Sequence, residues 1–216
     1  MNSLIRLSKS SIGSGEKKAV LKVLKNEYLG MGNEVNEFEK KLNLLLSNAT
    51  SYVACVNSGT AALQLSLQAI GIKRGDRVIV PSLNFIAGIQ AISATGASPV
   101  FCDVKMEDFT IDPIDIEKKI SKEVKAIMPV HYSGASADMS KINKIAKKNN
   151  LFVIEDSAHA LGSYNNHNKL VGTENNISCF SFDGIKNITS GEGGAVFTKN
   201  KKIYKKICDL RLLGVH

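Results

Sequence analysis

One pattern constrains this 216-residue chain more than any other. From residue 51 onward, short apolar runs alternate with stretches of helical periodicity. Candidate strands are 52–56, 78–81, 99–103, 126–130, 152–155, 177–182 and 195–198, and the intervening stretches 59–70, 85–95, 114–120 and 138–149 read as helices. Strands that alternate with helices form βαβ units, whose crossovers put helices on both faces of a sheet. The pattern therefore predicts a three-layer α/β/α fold with a mainly parallel seven-stranded sheet. In such sheets ligands sit outside the carboxyl ends of the strands. The residues just after each strand are where chemistry is to be sought.

The first fifty residues read differently, as a helical segment. Ser14 is a candidate cap for a helix through residues 16–28, with Ala19, Val20, Val23 and Leu24 at helical spacing. A turn with Gly30 and Gly32 follows, and a second helix over 35–46 carries Val35, Phe38, Leu42 and Leu45 on one face. The division is thus 1–50, a helical segment packing on the rest, and 51–216, the ligand-binding domain. The length suffices for one large core and not for two.

Composition removes several classes. Hydrophobic residues are 44% and charged residues 22%, as in ordinary globular proteins. No stretch of about 18 apolar residues exists, so no membrane-spanning helix is expected. The N-terminus lacks the apolar region of a secretory leader. Cys55, Cys102, Cys179 and Cys208 stand singly, which fits a reducing cytoplasm and neither a disulfide framework nor a zinc site. His131, His159, His167 and His216 form no ligand-spaced cluster, so no metal is expected. The net charge of +8 raises the question of nucleic acid. Nearly all of it is lysine, in patches at 117–125, 141–148 and 199–206 that alternate with apolar residues, as on solvated helix faces. No nucleic-acid partner is expected.

Four strand ends carry the candidates. After the first strand, Asn57-Ser58-Gly59-Thr60 opens a helix. Amides at a helix N-terminus attract anions, Gly59 permits close approach, and the hydroxyls of Ser58 and Thr60 can add bonds to a phosphate. Ser58 serves equally as a plain cap. After the second strand comes Phe85, able to stack on a flat ring or to fill core. After the fifth strand come Glu155 and Asp156. Successive strand residues point to opposite faces, so one acid faces the site, where it can pair with a cationic ring nitrogen or serve equally as a cap for the next turn. After the sixth strand, Ser181-Phe182-Asp183-Gly184-Ile185-Lys186 runs into Thr189-Ser190-Gly191-Glu192-Gly193-Gly194. Lys186 lies in a glycine-rich loop between apolar strands, unlike the helix-face lysines. A lysine near apolar surroundings can serve as nucleophile or base, whereas composition alone reads it as one more surface lysine.

Taken in order, Asn57-Ser58-Gly59-Thr60-Ala61-Ala62, Glu155-Asp156-Ser157-Ala158-His159-Ala160 and the segment Ser181–Gly194 resemble the large domain of fold-type I pyridoxal-phosphate enzymes. More narrowly, they resemble the DegT/StrS-type sugar aminotransferases. Ile5-Arg6-Leu7-Ser8 and the stretch from Tyr28 to Glu39 are similar to that family's start, and the likeness covers essentially the whole chain.

The resemblance implies pyridoxal 5'-phosphate as cofactor. Lys186 matches the family's Schiff-base lysine, and Asp156 the carboxylate on the pyridinium nitrogen. Ser58, Gly59, Thr60 and Ser181 match the phosphate cup, and Phe85 the aromatic stacked on the ring. His159 stands where the family often has Gln, near the phenolic oxygen. Asp183 departs from a frequent His, and its role is open. The implied reaction is transfer of an amino group, with glutamate as donor, to a nucleotide-linked keto-sugar for polysaccharide, O-antigen or amino-sugar biosynthesis. The implied assembly is a homodimer. Two alternatives are a sugar dehydratase, which has His where Lys186 stands, and a non-catalytic or inactive truncated relative. Family members typically continue into a small C-terminal domain. The chain ends within a predicted helix over 202–213, which reads as an interruption before that domain.

Overall fold

The structure, a computed structural model, describes residues 8–47, 50–174 and 176–214. The stretch Ile5-Arg6-Leu7 and His216, both noted in the sequence, lie outside the described residues. Seven strands form one sheet: β1 (Tyr52–Val56), β2 (Arg77–Pro81), β3 (Ser98–Cys102), β4 (Val124–Ile127), β5 (Phe152–Asp156), β6 (Ile177–Ser181) and β7 (Gly194–Thr198). The helices are α1 (Ser14–Lys25), α2 (Asn33–Leu46), α3 (Gly59–Ala69), α4 (Ile86–Ala94), α5 (Pro113–Lys119), α6 (Met139–Lys148) and α7 (Lys201–Arg211). The sheet order is β1-β7-β6-β5-β4-β2-β3. Strands β3, β2, β4, β5 and β6 pair in parallel, whereas β7 is antiparallel to both β1 and β6. The mainly parallel seven-stranded sheet expected from the pattern is present, with one reversed strand.

The strands are apolar on both faces because both faces are covered. Alternation along each strand sorts the side chains. Ala54, Val78, Val80, Ala126, Ile154, Cys179 and Val196 point to one side, where they pack with Leu63 and Leu67 of α3, Ile92 of α4 and Ile207 of α7. Ile79, Ile127 and Val153 point to the other, against Ile116 of α5 and Ile142 and Ile145 of α6. Phe180 and Phe197 also point there, against Leu42 and Leu46 of α2. Polar side chains set several helix starts: Asp112 accepts from Ile114 N–H, Asp138 from Lys141 N–H, and Asn200 from Lys202 N–H. The partly buried ion pair of Arg211 with Glu39, at 2.6 Å, ties α7 to α2, and Glu39 also accepts from Cys55 N–H of β1.

Several expectations need correction. Helix α1 begins after Gly13, whose N–H donates to the Glu16 carboxylate, so Ser14 is its first residue and not its cap. None of α1's residues is buried, and the face predicted from Ala19, Val20, Val23 and Leu24 stands without a core contact. In α2 the residue that enters the core beside Leu42 is Leu46, at 4% exposure, whereas Leu45 is 53% exposed. The α-helical drift of 100° per residue puts 42 and 46, four apart, on one stripe. Helix α4 starts one residue later than predicted, with Phe85 as its cap. Strand β4 ends at Ile127, and the predicted extension survives only as an isolated bridge between Val130 and Asp156.

One close approach joins the first loop to the last strand. A Cβ on Gly194 would lie 2.4 Å from Ser58 O and 2.8 Å from Gly59 N. The turn from β1 into α3 thus rests directly on the start of β7, with no room for a side chain. Gly194→Ala is expected to lower stability by about 1–3 kcal/mol through overpacking against backbone. Gly15→Ala, where the added Cβ meets nothing within 4 Å, is expected to change stability by less than about 1 kcal/mol. Urea unfolding of the two variants checks both.

Candidate active site

The loop after β1 forms a cradle. Ser58 has extended backbone dihedrals and caps α3, its Oγ accepting from Ala61 N–H at 3.1 Å. The first amides of a helix have no intrahelical acceptor, so those of Gly59 and Thr60 are left for an external one. Ser181, the last residue of β6, closes the cradle: a Cβ on Gly59 would lie 2.9 Å from Ser181 Cβ and 3.2 Å from its Oγ. The predicted residues Ser58, Gly59, Thr60 and Ser181 therefore meet at the positive end of α3's dipole.

Asp156, at the end of β5, is buried. Ala158 N–H donates to its Oδ1 at 3.1 Å. Burial raises its pKa from the ordinary value of 3.8, against the opposing pull of that amide and of His159, His131 and Lys186. The latter three groups thus lie within electrostatic reach of one carboxyl. His159 is exposed on the open side. Its pKa is lowered from 6.5 by desolvation where the ring meets the protein and by the charge of Lys186, with Asp156 opposing. Tyr132, which sequence reasoning did not single out, stands edge-on to His159 with ring centroids 6.3 Å apart.

Lys186 projects from a tightly pinned loop. Asp183 Oδ1 accepts from Ile185 N–H at 3.1 Å, and Lys186 N–H donates to Asp183 O at 3.0 Å. Asp183, left without a role by the sequence, caps the turn that presents the lysine. Asn187 Nδ2 donates to Leu161 O at 2.7 Å, and Ser190 N–H to Phe182 O at 3.0 Å. The hydroxyl of Ser10 donates to Gly184 O, so the N-terminal segment reaches this loop. No spacing in the sequence pointed to Asn187 or Ser10, because both bind backbone carbonyls of distant segments. Phe85 caps α4 beyond β2 with its ring 72% exposed, and no hydrogen bond or ring contact ties it to the other candidates.

Over most of its length the chain is similar to known proteins. The family model for DegT/DnrJ/EryC1/StrS aminotransferases matches residues 10–216. This chain belongs to that family. GDP-perosamine synthase of Escherichia coli O157:H7 is 44% identical over 206 residues, covering 95% of this chain and 56% of the relative. Among solved structures, Helicobacter pylori PseC, an aminotransferase in pseudoaminic acid biosynthesis, superposes with a TM-score of 0.90 at 34% identity, covering 96% of this chain and 55% of PseC. NtdA from Bacillus subtilis, solved with bound cofactor PMP, gives a TM-score of 0.84 at 33% identity, covering 95% and 48% of the two chains. This member of the DegT/DnrJ/EryC1/StrS family spans about half the length of the curated relatives it matches.

Burial of Asp156 has a consequence for stability. A carboxyl whose folded pKa exceeds its unfolded one binds more protons in the native state across the interval between them, so stability falls as pH rises from about 3.8. Asp156→Asn removes that contribution. The variant's stability minus that of the unaltered chain is expected to grow from pH 4 upward and then level off. Urea titrations at several pH values, without added ligand, read this difference.

Proposed function

We propose that this chain binds pyridoxal 5'-phosphate at the carboxyl ends of β1, β5 and β6 and forms the cofactor-binding part of an aminotransferase. Its donor is glutamate and its acceptor a nucleotide-linked keto-sugar. The observation that carries the reading is the convergence of Asp156, His159 and Lys186 beside a helix N-terminus whose cradle excludes a Cβ at Gly59. Membership in the family supports it.

The donor set suits the group. A phosphate needs amides, hydroxyls and a positive dipole end, which Ser58, Gly59, Thr60 and Ser181 supply. A protonated ring nitrogen needs a carboxylate sheltered from water, which Asp156 supplies. A flat ring needs an aromatic face, and Phe85, with its ring free, supplies that. His159, whose protonation is disfavoured by desolvation and by Lys186, offers in its neutral form one donor and one acceptor to an oxygen on the ring.

When bound, the cofactor supplies an electron sink for cleavage of a C–H bond beside nitrogen. The chain's own residues do the rest. Asp156 keeps the ring nitrogen protonated by accepting its hydrogen bond, an interaction worth about 1.5–3 kcal/mol for a charged partner. Lys186 Nζ would hold the cofactor, and its amine would move a proton to and from the substrate carbon that bears the nitrogen. The loop bonds of Asp183 and Asn187 aim that nitrogen. Over a full cycle, glutamate loses its amino group to become 2-oxoglutarate, and the sugar's C=O becomes C–NH2 with that nitrogen. The amino sugar serves a surface polysaccharide such as O-antigen, in the cytoplasm, and the working assembly is a homodimer.

Adding pyridoxal phosphate to the chain is expected to give a visible absorption band that glutamate bleaches. Borohydride is expected to leave a pyridoxyl group on the peptide that holds Lys186. Lys186→Ala is expected to lose both the band and the label, and to slow formation of 2-oxoglutarate from glutamate by about 10²–10⁴-fold. A pyridoxyl label confined to other lysines would overturn the reading.

A further inference from the structure

Two acids end β5, and the proposed reaction uses one. Glu155 points to the opposite face of the sheet and is 1% exposed. Its Oε1 accepts from Asn176 Nδ2 at 2.7 Å, and its Oε2 lies 2.9 Å from Nε2 of His131, itself fully buried. The direction of the second bond follows from the other ring nitrogen. His131 Nδ1 receives the N–H of Ala137 at 3.1 Å, so Nδ1 carries no proton and Nε2 carries one. Both ring nitrogens are thereby engaged, with His131 donating to Glu155.

His131 also grips the neighbouring residue. Its backbone N–H donates to Asp156 O at 3.0 Å, and Asp156 N–H donates to Pro129 O at 2.9 Å. Segment 129–131 thus brackets Asp156 on one side of β5. Ser157 N–H, bonded to Cys179 O at 2.8 Å, holds the other side. The same histidine is fastened to β5 twice, by main chain at 156 and by ring at 155. Without its donors Glu155 would be a buried, unsatisfied acid, and such groups turn toward water at the expense of local geometry. Any turn at 155 rotates the strand end that aims 156.

We propose that His131, Glu155 and Asn176 are positioning residues that fix the direction of the Asp156 carboxyl and, through it, the tilt of the bound ring. The proposal rests on the cofactor reading above for its second half only. Its first half concerns the cofactor-free chain. The charged groups within electrostatic reach of Asp156 are His159, His131 and Lys186; those hydrogen-bonded to Glu155 are His131 and Asn176.

The test breaks the network and restores it. Asp156→Asn is introduced into the unaltered chain and into His131→Asn, Glu155→Ala and Glu155→Gln backgrounds, and the pH-dependent stability difference is measured from pH 4 to 8 without cofactor. The first two backgrounds are expected to reduce that difference by at least about twofold, because a loosened carboxyl relaxes toward solvent. Glu155→Gln is expected to restore it: the amide oxygen accepts from His131, and its NH2 donates to Asn176 once that side chain flips. An equal difference in all backgrounds overturns the proposal. If the first two variants do not fold, 15N spectra of the histidine rings in the unaltered chain decide. An unprotonated Nδ1 and a protonated Nε2 at His131 support the network, and the reverse tautomer overturns it. With pyridoxal phosphate added, the visible circular dichroism is expected to change, and Kd to rise at least fivefold, in His131→Asn and not in Glu155→Gln. Failure of the unaltered chain to bind pyridoxal phosphate counts against the cofactor reading alone, and the cofactor-free comparison still judges the positioning role.

Discussion

The turn from β1 into α3 lies on the backbone of β7 so closely that Gly194 has no space for a methyl group, and Gly59 meets Ser181 in the same way. Everything that is assigned to an anion depends on these two contacts. They set the height of α3's first amides relative to the end of β6, and hence whether Ser58, Thr60 and Ser181 converge on one oxygen cluster or on none. A helix dipole falls off within a turn, so the position of that terminus matters more than its charge. The sheet beneath is stiff because its strands are packed on both faces, with Phe180 and Phe197 wholly enclosed.

On this frame the site opposes two demands on charge. Burial favours a protonated Asp156, whereas the cationic ring nitrogen of the proposed cofactor would call for its carboxylate. The Asp156 carboxylate is at odds with its buried surroundings, and a cation bound beside it would relieve that conflict. This is the usual logic of perturbed groups at functional sites: stability is given up where binding will return it. At His159 desolvation and then the charge of Lys186 oppose protonation, with Asp156 pulling the other way.

Much of this was legible in the residues, for definite reasons. All seven strands could be located because strands buried on both faces are continuous apolar runs, and the site residues fell at their ends as the topology of parallel sheets requires. The order of the strands was not legible. Nothing in Gly194–Thr198 says that it runs antiparallel between β1 and β6. The burial of α2 was misread by one residue at Leu45, since both 45 and 46 are leucine and periodicity alone cannot choose. The fold-positioning roles of His131, Asp183 and Asn187 escaped because each acts on backbone or on a buried partner far away in sequence. His131 has no ligand-spaced neighbour in the sequence, yet its ring has a fixed task between Glu155 and Ala137.

The reversed strand has a temporal meaning as well. Among the described residues strand β1 pairs with β7 alone, so a segment made early must wait for one made late. Until residues 194–198 arrive, β1 has an unsatisfied edge, and α2, which rests partly on Phe180 and Phe197, lacks its floor. Closing so long a loop precedes the contacts that reward it. The five parallel strands from β2 to β6 can gather earlier around α3 to α6. The ligand cradle, which needs β1, β6 and β7 together, is then among the last features to form, and its completion reports that the whole sheet has closed.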